Sequence, residues 1–354
     1  MAGCEIRSVY AGIAGSHIKG FNSHGVIAVK GGEVSPRDIE RALDAAKAVA
    51  IPLDREVIHI LPQEYIVDDQ RGIADPMGMA GVRLEVKVHI VTGAVTSAQN
   101  IVRSCHKSGL DVSDIVLESL ASAKAVLTEE EREIGVALID LGGGTCDIAI
   151  FANDSIKHTG VLALGGQNLT NDIAFGLRTP MAAAEKIKIK HGAAIAEMVR
   201  PDEYIEVPSV GGREPRRLSR QVLAEICEPR MEEILTLLDQ ELVRSGLKNM
   251  IGAGVVLTGG TALIQGCQEL GEQVFNLPTR IGYPRNVGGL KDMVNSPKFA
   301  TAMGLLRFGA EKEGMEQKFR IRSDGNVFNS ILSRMKKVVF RNFLTSGRSA
   351  RCSL

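Results

Sequence analysis

The sequence predicts an α/β fold with more than one domain, and three observations support this prediction. A chain of 354 residues is long enough for two domains that each bury a core. Strand-like apolar runs alternate with helical segments along the chain, as they do in α/β architectures. One segment, 136–151, has two apolar runs around a turn of three glycines, with an aspartate on each side, which predicts a strand, a tight turn and a returning strand.

The composition is typical of a globular protein and gives no sign of a nucleic-acid partner. Apolar residues make up 44% and charged residues 24% of the chain. The 42 basic side chains balance the 42 acidic ones, tryptophan is absent and aromatic residues are only 4%, so neither a basic surface nor a stacking platform is indicated. Six scattered cysteines and seven histidines without ligand spacing favour a reduced, cytoplasmic chain with no zinc site.

The N-terminal third is expected to be a small α+β module. Apolar runs predict strands at 8–14, 57–62 and 86–91. In the last of these, Lys87 and His89 alternate with apolar residues and are expected to point outward. A helix is predicted to begin at Ser35–Pro36, since proline is favoured in a first turn, and another at Ser97, which is a plausible N-cap.

Three further elements are predicted before and after the glycine-rich turn. Residues 115–127 should run from a strand into an alanine-rich helix. The charged segment 128–133 is expected to be a solvated linker. Residues 251–258 predict another strand, which leads directly into Gly259–Gly260 and a helix that begins at Thr261.

The glycine-rich turn is the strongest candidate for a ligand site. Glycines without a Cβ allow backbone N–H groups to approach a phosphate. Asp140 and Asp147 carry the carboxylate oxygens that a hydrated magnesium ion prefers, so we expect them to hold Mg²⁺ through water. The alternative is a glycine-rich hairpin that binds no ligand. The residues predicted to bind the phosphate or its magnesium ion are Asp140, Gly142, Gly143, Gly144 and Thr145.

The pattern Asp-x-Gly-Gly-Gly-Thr-x-Asp resembles the second phosphate loop of the actin-like ATPases, which include actin, sugar kinases and heat-shock chaperones. Gly259 and Gly260 resemble the adenosine motif of the same superfamily, although Thr-Gly-Gly is also common at plain strand-to-helix corners. Gly165 and Gly166 resemble a turn that lies at the mouth of the nucleotide cleft in the superfamily. The alternative is an ordinary strand-to-helix turn.

One charged pair and one single glutamate each have a functional interpretation and a purely structural one. Glu185 and Lys188 are three residues apart on a predicted helix and share one face. In the chaperone ATPases a Glu and a Lys at this spacing hold the adenosine, and the alternative is a surface ion pair. Glu118 resembles the position of the polar residue that orients the attacking water, and the alternative is an acidic residue favoured by a helix N-terminus.

The tail predicts a short amphipathic helix at 326–344 after a polar linker at 311–325. An apolar face with basic residues beside it is typical of an anchor that lies on an anionic membrane surface. The alternative is a C-terminal helix that packs on the protein's own core. The predicted membrane contacts are Phe328, Ile331, Leu332, Met335, Lys336, Lys337, Val339 and Phe343.

Residues 5 to 340 resemble the FtsA family of bacterial cell-division proteins. The likeness rests on the glycine-rich turn together with Ile-Leu-Pro-Gln-Glu-Tyr at 60–65 and Val-Pro-Ser-Val-Gly-Gly-Arg at 207–213, which are not general to actin-like proteins. Gly81–Arg83, Lys87–His89 and Glu228–Arg230 continue it. The resemblance implies a two-lobed actin-like, or ribonuclease H-like, fold with an FtsA-type extra subdomain.

The same resemblance implies a division of the chain into functional parts. The parts that the family implies are 1–86, the FtsA-specific subdomain for self-association and recruitment of later division proteins; 87–133 with part of 286–310, the first core subdomain; 134–165 and 226–285, the second core subdomain; 166–225, the subdomain that contacts FtsZ; 311–325, a linker; and 326–344, the membrane-targeting helix.

The function implied is that of a tether. The protein would bind ATP with Mg²⁺, self-associate, hold FtsZ at the cytoplasmic face of the inner membrane at the septum, and recruit later division proteins. Any hydrolysis is expected to be slow. The alternative is an actin-fold sugar or acetate kinase, although no substrate-loop acid that would serve as general base is apparent. A chaperone-like ATPase is not expected, because only 50 residues of this sequence follow Gly304, too few for a peptide-binding domain.

The chain departs from the family pattern at both ends. Family members begin with a strand and a first phosphate loop of the type Asp-x-Gly-Thr, and no such loop precedes Asp140. We therefore expect an N-terminally truncated form in which ATP binding is weakened. From Phe340 to Leu354 the sequence becomes polar and unlike the family, which weakens the end of the predicted anchor.

Overall fold

The computed structural model describes residues 6–288 and 291–320. The predicted membrane helix at 326–344 lies outside the described residues. Thirteen strands are present in this part of the chain: β1 Ser8–Ile13, β2 Lys19–Ala28, β3 Arg55–Val67, β4 Gln70–Ile73, β5 Arg83–Ala94, β6 Asp111–Leu117, β7 Val136–Leu141, β8 Cys146–Ala152, β9 Ser155–Leu162, β10 Tyr204–Val207, β11 Arg216–Ser219, β12 Val255–Thr258 and β13 Thr279–Ile281.

Ten α-helices accompany these strands, and none of them is both long enough and apolar enough to cross a bilayer. Their bounds are α1 Pro36–Lys47, α2 Val95–Lys107, α3 Glu118–Val126, α4 Glu129–Ile134, α5 Gly166–Leu177, α6 Met181–His191, α7 Arg220–Arg244, α8 Cys267–Phe275, α9 Lys291–Val294 and α10 Ala300–Arg320.

The largest sheet has five strands in the order β13-β12-β7-β8-β9. β12 and β7 are parallel, whereas β7, β8 and β9 form an antiparallel meander. Every residue of β7 and β8 is buried, because helices cover both faces of the sheet. The main core packs α5, α7 and α8 against one face, and α3 and α10 approach from the other. The glycine-rich turn joins β7 to β8 at one end of this buried centre.

A separate antiparallel sheet, β2-β5-β3-β4, carries α1 on one face. Helix α1 begins as predicted, because the Ser35 hydroxyl caps it and Pro36 occupies the first turn. The predicted subdomain boundary at residue 86 falls inside β5, which pairs with β2 and β3 over its length. β1 pairs instead with β6 in a parallel two-stranded sheet next to α3 and α10.

The structure corrects five local expectations. The described part of the predicted linker at 311–325 is not a linker, because α10 continues to Arg320. Residues 128–133 are not a linker: the Thr128 hydroxyl and the Glu131 side chain form a capping box that begins α4. Helix α2 begins at Val95, so Ser97 lies inside the helix and is not its N-cap. His89 does not point outward but is 1% exposed. No α-helix begins at Thr261, because a single 3₁₀ turn at Thr261–Leu263 precedes α8.

His89 is buried where the four-stranded sheet packs on β9. Its Nδ1 is 2.7 Å from Asn22 Oδ1 and its Nε2 is 2.8 Å from Thr159 Oγ1, a residue of β9. Both faces of this part of the sheet are covered, so a one-residue shift of β5 would not bring His89 into solvent. The hydrogen bonds to Asn22 and Thr159 therefore explain why a polar side chain is tolerated at this buried position.

We predict that His89 makes the fold sensitive to acid. Burial lowers the pKa of His89 from 6.5 to about 4. A base with a lowered folded-state pKa contributes stability above pH 6.5 that is lost as the pH falls towards 4. Between about pH 7 and pH 5, urea unfolding should show that His89→Gln loses about 2 kcal/mol less free energy of unfolding than the parent chain. His24→Gln, on the exposed part of β2, is the control, and parallel pH profiles for parent and His89→Gln would contradict the prediction.

Candidate functional site

The turn between β7 and β8 is held tightly at its base and is open at its tip. Asp140 and Asp147 are cross-strand partners in the β7–β8 ladder. The Gly142 N–H donates to the Thr145 carbonyl at 3.0 Å, which closes the turn. A Cβ at Gly143 or Gly144 would meet no atom within 4 Å, so the backbone of the tip has free space around it. A ligand can therefore approach the N–H groups of the turn.

Asp140 is a buried carboxylate with hydroxyl partners. It is 8% exposed, and its Oδ2 accepts hydrogen bonds from Ser122 Oγ at 2.6 Å and from Thr301 Oγ1 at 3.1 Å. Burial nevertheless raises its pKa, and the two hydroxyl groups only partly oppose this. Helices α3 and α10 supply these hydroxyls, so the orientation of Asp140 depends on both.

Asp147 is the least satisfied polar group of the site. It is 4% exposed, and Thr145 Oγ1 donates to its Oδ2 at 3.0 Å. Its Oδ1 is buried and has no hydrogen-bond partner among the residues that the structure describes. Burial, followed by the charges of Asp140 and Glu118, raises its pKa to about 7. A cation near this oxygen would remove the cost of leaving it unpaired.

Glu118 lies at the start of α3, against β1. A Cβ at Gly12 would lie 2.9 Å from Glu118 Oε1, so glycine in β1 leaves the space that this carboxylate occupies. Burial and the charge of Asp140 raise the pKa of Glu118. In the described part of the chain, no three His, Cys, Asp or Glu side chains are close enough to bind one metal directly. The three carboxylates therefore suit a hydrated cation better than a directly ligated one.

Helix α5 begins against the glycine-rich turn. The Gly166 N–H donates to the Gly142 carbonyl at 2.9 Å, and the Gln167 N–H donates to the Gly143 carbonyl at 2.7 Å. A Cβ at Gly165 would lie 2.7 Å from the Gly143 carbonyl oxygen, which requires glycine at that position. The structure thus brings the second predicted glycine pair into contact with the first.

The turn after β12 completes the arrangement. Thr261 Oγ1 donates to the Gly142 carbonyl at 2.9 Å. Gly259 has a φ of +88°, and a Cβ there would lie 2.4 Å from Asp140 Oδ1 and 2.5 Å from the Leu141 carbonyl oxygen. Gly260 continues the same turn with ordinary right-handed geometry. All three predicted glycine turns therefore lie at one end of the five-stranded sheet.

Glu185 and Lys188 connect α6 to the first turn of α5. Lys188 is 8% exposed, and its Nζ donates to the Gly166 carbonyl at 2.9 Å and lies 2.7 Å from Glu185 Oε2. The Thr170 hydroxyl lies within hydrogen-bond distance of both this carboxylate and the Gly166 carbonyl, and can donate its one proton to either. The ion pair of the plain interpretation is present, although only Glu185 reaches solvent and Lys188 is buried. A contact with adenosine stays a prediction for this pair.

Four hydroxyl residues of the site were not assigned from the sequence: Ser122, Thr170, Thr261 and Thr301. Each lies in or beside a helical segment, where serine and threonine are common and give no local signal. Only the spatial proximity of Ser122 and Thr301 to Asp140, and of Thr170 and Thr261 to the glycine turns, identifies them.

We predict that Gly259→Ala destabilises the fold whereas Gly260→Ala is tolerated. At Gly259 an added methyl group meets backbone at a positive φ, and at Gly260 the nearest atom is Lys298 Cβ at 3.9 Å. Gly259→Ala should lower the free energy of unfolding by about 1–3 kcal/mol, and Gly260→Ala by much less. Urea unfolding followed by far-ultraviolet circular dichroism measures both. Equal losses in the two variants would show that the close approach to Asp140 is not a constraint.

The chain matches two family models: "Cell division protein FtsA" over residues 137–304 and "SHS2 domain inserted in FTSA" over residues 15–92. It is 51% identical to Cell division protein FtsA of Pseudomonas aeruginosa over 349 residues, which cover 97% of this chain and 83% of that protein. With FtsA of Escherichia coli K12 it shares 43% identity over 318 residues, 88% of this chain and 76% of that protein.

Among solved structures, the fold is similar to a chain of the PilM–PilN type IV pilus biogenesis complex. The TM-score is 0.58 at 15% identity, and the match covers 86% of this chain and 80% of the other. The likeness at this low identity concerns the fold alone, which is actin-like. The family models and the identity to the curated relatives confirm the resemblance seen in the sequence: the chain belongs to the FtsA family of cell-division proteins.

Proposed function

We propose that this protein binds ATP with Mg²⁺ at the three glycine turns and tethers FtsZ to the membrane during cell division. Membership of the family supports the role in division. The observation that carries nucleotide binding is the convergence of the Gly142–Gly144, Gly165–Gly166 and Gly259–Gly260 turns beside Asp140 and Asp147. Peptide N–H groups of such turns suit phosphate oxygens, and the two aspartates suit a hydrated divalent cation.

The residues present fit a cation and a triphosphate. Asp147 Oδ1 is buried without a partner, and the open tip at Gly143 and Gly144 leaves room for phosphate. Asp140 and Asp147 would hold Mg²⁺ through water, with Thr145 near the phosphates. When bound, the cation neutralises phosphate charge and so favours phosphoryl transfer to water. Glu185 and Lys188, on the α5 side of the turn, would contact the adenosine.

Glu118 is proposed as the residue that orients water. Its raised pKa reflects burial beside Asp140, and a carboxylate in that environment holds a proton more readily than one in solvent. Phosphoryl transfer depends chiefly on positioning and charge, so one carboxylate at the edge of the site is sufficient for slow hydrolysis. We regard such hydrolysis as regulatory.

We predict that nucleotide binding depends on Asp147. Asp147→Asn keeps the shape of the side chain and removes its charge, so Mg²⁺-dependent ATP affinity should fall by about tenfold or more in titration calorimetry. Asp69→Asn, whose side chain is fully exposed in the turn between β3 and β4, is the matched control. Glu118→Gln should leave the affinity nearly unchanged and slow phosphate release. An ATP affinity that is equal in the parent chain and in Asp147→Asn would refute the site.

The tethering role rests on the family and on the pattern of the tail. The resemblance assigns the FtsZ contact to residues 166–225, self-association and recruitment of later division proteins to 1–86, and membrane targeting to 326–344. An apolar face at Phe328, Ile331 and Met335 suits an anionic lipid surface, with Lys336 at its border and Lys337 on the opposite flank. The proposed location is the cytoplasmic face of the inner membrane at the septum.

The kinase alternative is not favoured, because the curated relatives with high identity over most of the chain are division proteins.

We predict that the chain carries FtsZ filaments to vesicles that contain anionic lipid. The double variant Phe328→Glu, Ile331→Glu places two charges on the apolar face and should reduce co-sedimentation of both proteins with vesicles by about tenfold or more. Ser330→Glu, Ser333→Glu adds the same charge on the opposite face and should retain most binding. Undiminished vesicle binding by the first variant would disprove the anchor. Vesicle binding without capture of FtsZ would disprove the tether alone.

A further inference from the structure

We propose that Ser122 and Thr301 are positioning residues for the divalent cation. Their hydroxyl groups hold the Asp140 carboxylate by one oxygen, so that the other oxygen stays free for the water shell of the ion. This role rests on the proposed function, because it concerns the same site. Each hydroxyl acts through Asp140 rather than on the ion itself.

The two oxygens of Asp140 have different surroundings. Oδ2 accepts from Ser122 Oγ at 2.6 Å and from Thr301 Oγ1 at 3.1 Å, and the two hydroxyl oxygens are 2.9 Å apart, so the three oxygens form a closed triangle. Oδ1 accepts no hydrogen bond from the residues that the structure describes. It lies beside Gly259, which has no side chain to cover it. The carboxylate is therefore fixed at one oxygen and available at the other.

Asp147 repeats this arrangement. Its Oδ2 accepts from Thr145 Oγ1, whereas its Oδ1 is buried and has no partner in the described part of the chain. Because Asp140 and Asp147 are cross-strand partners in an antiparallel pair, their side chains lie on the same face of the sheet. Two carboxylates on one face, each with one oxygen left free, suit an ion such as Mg²⁺ that keeps several of its waters.

Stability alone does not account for this pattern. A polar cluster that served only to satisfy buried carboxylates would pair all of their oxygens, since a buried oxygen without a partner is costly. Instead, two hydroxyl groups converge on Asp140 Oδ2 while Asp147 Oδ1 has none. Hydrogen bonds behind a carboxylate orient it towards a metal, and their loss lowers metal affinity by about tenfold or more.

The backbone around both hydroxyl residues is held in place. Ser122 is fully buried in the middle of α3. Thr301 lies in the first turn of α10, just after Pro297, whose carbonyl accepts the Gly259 N–H at 3.3 Å. Gly304, one turn further along α10, packs directly against the backbone of α3. Side chains on such fixed elements orient a carboxylate precisely enough to affect metal binding.

Titration calorimetry of the full chain with ATP, in Mg²⁺ and separately in EDTA, tests the role of Thr301. Thr301→Val keeps the shape of the side chain and removes its hydroxyl, so the affinity in Mg²⁺ should fall by about three- to tenfold. The affinity in EDTA should stay nearly unchanged. Thr301→Ser restores the hydroxyl and should recover most of the affinity in Mg²⁺. Thr236→Val, at an exposed position of α7, is the matched control.

Binding of Mn²⁺ alone, followed by electron paramagnetic resonance without nucleotide, is the second measurement, because Mn²⁺ takes the same oxygen ligands as Mg²⁺. Ser122→Ala should weaken it at least as much as Thr301→Val, since its hydrogen bond is the shorter one. Circular dichroism confirms the fold of each variant. If Ser122→Ala does not fold, Thr301→Val decides, because its side chain is only partly buried.

Equal affinity in Mg²⁺ for the parent chain and Thr301→Val overturns the positioning role and leaves the proposed nucleotide site intact. A loss that is the same in EDTA, or that Thr301→Ser does not restore, also overturns it, because the hydroxyl would then serve the fold alone. If the parent chain shows no Mg²⁺-dependent ATP binding, the proposed function fails and the Mn²⁺ titration decides. Mn²⁺ binding that Thr301→Val weakens supports the role, and absent or unchanged binding overturns it.

Discussion

The carbonyl group of Gly142 is the point on which the candidate site depends. It accepts one hydrogen bond from the Gly166 N–H and another from Thr261 Oγ1, so a single peptide unit of the β7–β8 turn joins α5 and the turn after β12. These three segments are far apart in sequence. Because both lone pairs of the carbonyl are used, displacement of any one segment leaves a polar group unpaired, and the three turns are expected to move as a unit.

Burial of carboxylates is the electrostatic consequence of this arrangement. The fully buried β7 and β8 carry Asp140 and Asp147 into a region of low polarity, and Glu118 adds a third carboxylate from α3. The pKa of each of the three groups is raised. Such a site is destabilising while it holds no compensating positive charge, and the natural compensation is a cation that arrives with its ligand. The affinity of the site for a cation is thus linked to the free-energy cost of burying these three carboxylates.

The sequence predicted those parts of the molecule in which local chemistry and tertiary structure agree. The β7–β8 hairpin has buried apolar strands and a turn that only glycine permits, so its pattern is unambiguous. Helix α1 was predicted from Ser35 and Pro36 for the same reason. The sequence also placed the glycines of 142–144, 165–166 and 259–260 in one functional group through the family resemblance, and the structure brings them into contact.

The sequence-based predictions that proved wrong have a common physical origin. In each case a contact with a residue distant in sequence overrode the local pattern. His89 alternates with apolar residues as an outward position would, yet it is buried because β9 covers that face. Thr128 precedes a run of charges typical of a linker, but Glu131 completes a capping box and also pairs with Arg280 of β13 at 2.6 Å. Ser122 and Thr301 gave no signal, because a hydroxyl in a helix acquires a role only from the carboxylate next to it.

Helix α3 meets the candidate nucleotide site at one end and the side chain of Arg307 at the other. Glu118 and Ser122 face the carboxylates, whereas the Lys124 and Ala125 carbonyls hold Arg307 and, through Ala125, the backbone of Arg285. Nine helical residues span only about 13 Å. Its packing against α10 is tight, since a Cβ at Gly304 would lie 1.8 Å from the Ala121 carbonyl oxygen. Because α3 and α10 pack this closely and each supplies a hydroxyl to Asp140, the orientation of Asp140 depends on the contact between the two helices.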